Sequence, residues 1–170
     1  CTTAHSSLAN NEMYELVQYI EGRNVQRFNK GNSTAKPFAL SFSVKTNKTG
    51  TYAVLLLDHQ NSRMCCANYT VSNTGWNRYE IVFPADTTGS WSYSVNYRLS
   101  VKFCLLTGGL FQGGTLQTTW GATSNQNSRV GHNVNLADTV GNTFYITGVQ
   151  LEAASACTPY EHKDYTDVLR

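Results

Sequence analysis

The stretch Tyr97-Arg98-Leu99-Ser100-Val101-Lys102-Phe103-Cys104-Leu105 sets apolar side chains at every odd position and Arg98, Ser100 and Lys102 between them. Successive side chains of a β-strand point to opposite faces, so period-two alternation of this length commits the segment to a strand with one buried face. The pattern recurs. Leu40, Phe42 and Val44 alternate with Ser41, Ser43 and Lys45; Tyr79, Ile81 and Phe83 share a face in Arg78–Pro84; Phe144–Glu152 behaves alike. Thr51–Asp58 is a further strand, and weaker ones are predicted at Tyr14–Ile20 and Ala67–Val71. The turn cluster Thr46-Asn47-Lys48-Thr49-Gly50 between strands 40–45 and 51–58 predicts that these two pair as antiparallel neighbours.

No segment in the body of the chain shows a convincing helical period; only Asp164–Arg170, after Pro159, reads as helix. Alternating strands without intervening helices point to antiparallel sheets with one wet face, not to a parallel α/β sheet. The expected fold is all-β, a two-sheet antiparallel β-sandwich of jelly-roll type. Residues 1–158 would form the sandwich and 159–170 a partly helical tail that continues in a longer parent chain. Composition agrees, with Thr 20, Asn 16, Ser 14 and Gly 13 among 170 residues supplying turns and polar strand faces.

Thirteen basic against eleven acidic residues, with no Lys/Arg run, argue against an electrostatic nucleic-acid partner. The longest aliphatic run, Val54–Leu57, is far too short to span a bilayer, so no membrane partner is expected. The chain opens at Cys1-Thr2-Thr3 without Met and reads as a piece of a longer one. Five cysteines, Cys1, Cys65, Cys66, Cys104 and Cys157, are odd in number and irregular in spacing, so they are read as reduced, small apolar residues made in a reducing cytoplasm. The sequons at Asn32, Asn47 and Asn68 are discounted in a chain so rich in Asn and Thr.

Catalytic signatures are not found. A glycosidase needs two carboxylates about 5–9 Å apart, one with a raised pKa. The acids here are scattered: Glu80 on a polar strand face, Asp58 and Asp86 in turns, Glu161, Asp164 and Asp167 in the tail, all read as solvated. His5, His59, His132 and His162 lie singly, without metal-ligand spacing, and Gly108–Gly114 lacks the Lys-Ser/Thr of a phosphate loop. No catalytic residue, metal or cofactor is expected, and the chain is read as non-enzymatic. What remains is aromatic residues among Asn, Gln and Thr, a setting in which a sugar can stack its C–H face and exchange hydroxyl hydrogen bonds. Trp91, Tyr93 and Phe111 are expected to be exposed with a binding or interface role. Trp76 and Trp120 are weaker glycan-binding candidates, because they could equally plug the sandwich ends or pack subunits. Residues 103–128 carry no charge for 26 positions, and 121–143 are Asn/Ser-rich with apolar anchors at Val130, Val134, Leu136 and Val140. Such long loops are usually functional or packed on a neighbour.

The series Val17-Gln18-Tyr19-Ile20-Glu21-Gly22-Arg23-Asn24-Val25-Gln26, Ala35-Lys36-Pro37-Phe38-Ala39-Leu40-Ser41-Phe42-Ser43-Val44-Lys45 and Lys48-Thr49-Gly50-Thr51-Tyr52 resembles a virion protein of tailed bacteriophages. The likeness continues through Phe83-Pro84-Ala85-Asp86-Thr87-Thr88-Gly89, Gly114-Thr115-Leu116-Gln117-Thr118-Thr119-Trp120, Asn142–Glu152 and Thr158-Pro159-Tyr160-Glu161-His162. It covers most of the chain, from about Val17 to Leu169, and is with the C-terminal domain of tail-fibre or tail-appendage proteins. The resemblance implies a galactose-binding-like jelly roll, related in shape to carbohydrate-binding modules. It also implies a homotrimer on a fibre or knob, other virion proteins as partners, bacterial surface glycan as ligand, and a virion location after assembly in the host cytoplasm. A capsid decoration or neck appendage without a ligand is the alternative, and a polysaccharide depolymerase a more distant one. The chain departs from the family in having Ala153-Ala154 where a glycine is usual after Glu152, in stopping at Arg170 and in starting within the first strand region. Loops 87–96 and 106–114 are variable in the family, so the sugar is not implied.

Overall fold

The computed structural model describes residues 1–161. The chain forms two antiparallel sheets packed as a β-sandwich. Every predicted strand is present: β1 (Met13–Glu21), β2 (Phe38–Thr46), β3 (Gly50–Asp58), β4 (Arg63–Val71), β5 (Asn77–Phe83), β6 (Tyr97–Thr107) and β8 (Phe144–Ala153). A two-residue β7 (Gly121–Ala122) is added. One sheet has the order β1-β6-β3-β4-β7 and the other β5-β2-β8. The only helical pieces among the described residues are short 3-10 turns at Gly22–Asn24, Gln26–Phe28 and Gly109–Phe111. The predicted helix Asp164–Arg170 lies outside the described residues.

Alternation builds the core. Leu40, Phe42 and Val44 on β2 face Leu56, Leu99 and Val101 of the other sheet, and all are buried. Phe42 sits at the centre, its ring edge-on to Tyr69 (5.0 Å) and Phe103 (4.9 Å). Register keeps the inward set aligned, with Leu56 opposite Val101 and Leu40 opposite both Ile81 and Leu151.

Two expectations are corrected. β2 and β3 are not paired neighbours: they lie in different sheets, and the Asn47–Thr49 turn carries the chain from one sheet to the other. The reason is in β3 itself, whose continuous apolar run Ala53–Leu57 suits a central strand covered on both faces. Nor is the second face of the large sheet wet. The uncharged loop after β6 folds back over it as a third layer, so Cys104, at an even position of β6, is buried, while Ser100 is covered by His59. Cys66 N donates to Gln117 O (2.7 Å), Gln117 Nε2 donates to Met64 O (2.9 Å), and Leu116 packs on Leu55, Met64 and Cys66. His132 joins the same layer, its Nδ1 accepting from Ala53 N and its Nε2 donating to Val134 O. Of the anchors expected in this loop, Val134 is buried but Val140 is exposed. The five cysteines are free; burial pushes the thiols of Cys65, Cys66 and Cys104 up to about 12.

Candidate functional site

The two open sides of the sandwich differ. On the β4/β5 side the sheets are tied together: Trp120 Nε1 donates to Pro84 O (2.8 Å), Arg63 clamps Asp86 with two bonds (2.8 and 2.9 Å), and Tyr69 packs on Tyr79. On the opposite side, edge strands β1 and β8 leave a trough. A space of about 420 Å³ is lined by Leu16, Val17, Gln18, Phe103, Ile146 and Val149. A further one of about 400 Å³ is lined by Ile20, Val25, Phe28 and Leu151 together with Arg23, Asn24 and Arg27. Leu16 on β1 and Val149 on β8, both in the lining of the first space, are apolar residues left exposed. Edge strands are normally blunted by Lys or Pro, and neither residue occurs in β1 or β8. In β8 the blunting device present is a bulge at Gly148 (φ +59).

An aromatic patch lies at the Glu21 end of β1. Tyr19 and Tyr97 stand with ring centroids 4.9 Å apart, and His59 closes the group at 5.6 Å from Tyr19 and 4.9 Å from Tyr97. Both tyrosines are about half exposed, 50% and 51%. The register explains the cluster: Tyr19 pairs with Ser100, and a shift between Ile20 and Glu21 brings Tyr97 opposite Glu21. His59 follows directly after β3 and its Nε2 meets Ser100 Oγ at 2.9 Å. Burial first, then the Lys102 charge, lowers the His59 pKa, with Asp58 working against them, so the imidazole is neutral at pH 7. Loop 92–96, which leads into Tyr97, adds polar groups: Ser92 N donates to Gln60 Oε1 and Ser92 Oγ accepts from Arg98. Tyr93, in the same loop, is 77% exposed. Aromatic faces, a neutral imidazole and amide and hydroxyl groups together can stack and hydrogen-bond an uncharged polyol.

The aromatic residues singled out from the sequence do not form one face. Tyr93 is exposed as expected. Trp76 is 53% exposed, in the turn between β4 and β5, and does not plug an end. Trp120 is half-buried against Phe38 (5.2 Å). The expected exposure of Trp91 and Phe111 is overturned. Trp91 belongs to the core cluster, edge-on to Phe38 at 6.0 Å, and Phe111 is buried beneath Arg129, whose guanidinium lies 4.9 Å above its ring. Trp91 covers a charged cluster whose acids the sequence leaves in solvent.

Those charges are the second correction. Asp58 and Asp86 are buried rather than solvated, and they converge on Lys30, whose Nζ lies 2.6 Å from Asp58 Oδ2 and 3.1 Å from Asp86 Oδ2. Lys30 Nζ also donates to Thr88 O (2.8 Å) and Gly89 O (2.7 Å) and sits 5.3 Å from the Trp91 ring and 5.7 Å from that of Trp120. Gly31 (φ +83) makes this approach possible, because a Cβ there would fall 2.4 Å from Ser90 N. Burial is the largest influence on both carboxyls and would raise their pKa values. Lys30, Asn61 and Trp91 at Asp58, and Arg63, Thr88 and Lys30 at Asp86, outweigh it, so both stay lowered. A smaller buried network ties Glu15 on β1 to Arg129 and Lys102. Among the described residues no group of three or more His, Cys, Asp or Glu could hold a metal ion.

The chain matches no family model, no curated protein and no solved structure.

Proposed function

We propose that the chain is a non-enzymatic virion domain of a phage tail fibre or appendage, a galactose-binding-like jelly roll that attaches to bacterial surface glycan. The observation that carries the glycan part is the exposed Tyr19–His59–Tyr97 group with its hydrogen-bonding surround of Gln60, Ser92 and Arg98. The virion assignment rests on the sequence resemblance described above. Supporting the non-enzymatic reading, the two convergent carboxylates, Asp58 and Asp86, are sealed around a lysine instead of facing a cleft. A shallow stacking site of this kind binds weakly, and repetition on a fibre converts weak sites into stable attachment. The test is binding of a multivalent display of the domain to host cells and to a glycan array. Wild type should bind, and Tyr97→Ala, folded to the same extent, should not.

One feature favours a second reading, a purely structural component without ligand. The apolar trough between β1 and β8 is the sort of surface that packs against another copy, and a homotrimer built on it would bury more than about 2,000 Å² in total. Analytical ultracentrifugation with Leu16→Asp and Val149→Asp distinguishes the two readings. If trimers form and are lost in these variants while glycan and cells are never bound, the structural role stands alone.

A further inference from the structure

We propose that Lys30 and Asp58 condense into an intramolecular isopeptide bond, with Asp86 moving the protons. The inference does not depend on glycan binding.

Three requirements of amide formation between side chains are met in one buried place. The lysine nitrogen is held against the carboxyl group that carries the electrophilic carbon, Lys30 Nζ to Asp58 Oδ2 at 2.6 Å, with both side chains fully buried. Holding two reactants in contact replaces a bimolecular encounter and is worth a large rate factor. Asp58 Oδ1 accepts from two backbone N–H groups, Gln60 (2.9 Å) and Asn61 (3.0 Å), a ready oxyanion hole for a tetrahedral centre at Cγ. A second carboxylate, Asp86, lies 3.1 Å from the same Nζ and is held in position by Arg63. Trp91 and Trp120 flank the lysine nitrogen at 5.3 and 5.7 Å and shield the site from water, which is the product of the condensation.

The step balances without any added reagent. One proton passes from the Lys30 ammonium to Asp58 Oδ2, giving a neutral amine and a neutral acid. The amine lone pair forms the Nζ–Cγ bond while the carbonyl π pair moves onto Oδ1, where the Gln60 and Asn61 N–H groups hold it. Asp86 takes a proton from the now cationic nitrogen and delivers it to the Oδ2 hydroxyl. The Cγ–Oδ2 bond breaks, water leaves, the Oδ1 pair restores the carbonyl, and Asp86 ends as the carboxylate it began as. Thr88 O and Gly89 O already accept from Nζ, so the amide N–H finds an acceptor in place.

Intact-mass spectrometry of the purified, folded 170-residue chain decides the matter. The expected mass is one water below that of the sequence, and digestion should give a branched peptide joining Lys30 to Asp58. A folded wild type at full sequence mass, or a lost water located at any other pair, overturns the proposal. Lys30→Arg should return to full mass. Asp58→Asn keeps the electrophilic carbon and changes the leaving group, so it should lose ammonia; loss of water from that variant contradicts attack at Cγ. Asp86→Asn, checked for folding by near-UV circular dichroism, should stay at full mass over the time in which wild type is converted, and equal conversion removes Asp86 from the mechanism.

Discussion

Arg129, in the loop that follows β6, pairs with Glu15 on edge strand β1, its Nε 3.0 Å from Glu15 Oε1 and its NH2 group closer still, with 114 positions of chain between them. This pair fastens the third layer to the far edge of the large sheet. Both side chains are nearly inaccessible to water, so removing Arg129 leaves the buried Glu15 with only the longer Lys102 contact. Arg129→Met should therefore destabilise the fold by about 3–5 kcal/mol. Chemical denaturation measures it, and the double variant Glu15→Leu/Arg129→Met should recover much of the loss.

Lys30 has the same logic with two carboxylates. In Lys30→Met, Asp58 and Asp86 would be left buried with less compensation, at a cost of about 3–5 kcal/mol at neutral pH. In the chain before condensation both carboxyls have depressed pKa values, so their stabilisation is present above the ordinary carboxylate range and is lost as pH falls through the depressed folded values; once Lys30 and Asp58 are joined, only the Asp86 part remains. The variant should lose this acid dependence in part, seen as a flatter plot of unfolding free energy against pH between neutrality and strong acid.

His132 acts at higher pH. Burial, with Arg129 adding to it and the Val134 carbonyl opposing, lowers its pKa from 6.5 to about 4. The unfolded chain then binds the proton that the folded chain refuses, so this contribution is complete above the unfolded value and lost as pH falls from 6.5 towards 4. Full loss is worth about 3 kcal/mol. Urea denaturation at pH 7 and pH 5 should show wild type weakened at the lower pH, and His132→Gln should show a smaller difference between the two.

Trp91→Ala is expected to destabilise the domain by about 3–5 kcal/mol through cavity formation, comparable with Phe42→Ala. Trp76→Ala should change thermal stability little, because that ring is mostly in water. Differential scanning calorimetry of the three variants checks the ordering.

These contrasts mark what was legible in the sequence. β2, β5, β6 and β8 could be read from alternation, because their inner faces are apolar at every second residue, and β3 from its apolar run. The wet faces could not be read correctly: Ser41 and Ser100 look like solvent-facing positions, yet each is covered by chain from elsewhere, Ser100 by the neighbourhood of His59 and Ser41 by the Arg78 side chain. Burial of Asp58 and Asp86 depends on Lys30, which arrives from a loop that carries no pattern, and Trp91 is buried because it covers that lysine. A turn acid and a turn tryptophan have no local signature of a tertiary partner. The Tyr19–His59–Tyr97 group escaped for a related reason. Tyr97 alternates in phase with the core residues of β6, and only the register shift against β1 places its ring beside Tyr19 on the surface.

The central claim is that an exposed aromatic patch on a β-sandwich holds host glycan, and the most direct measurement compares multivalent wild type with Tyr97→Ala on host cells and on a glycan array. The account predicts saturable, sugar-competed binding by wild type and its loss in Tyr97→Ala at unchanged melting temperature. Binding that survives both Tyr19→Ala and Tyr97→Ala, or no binding by wild type at any valency, would contradict it.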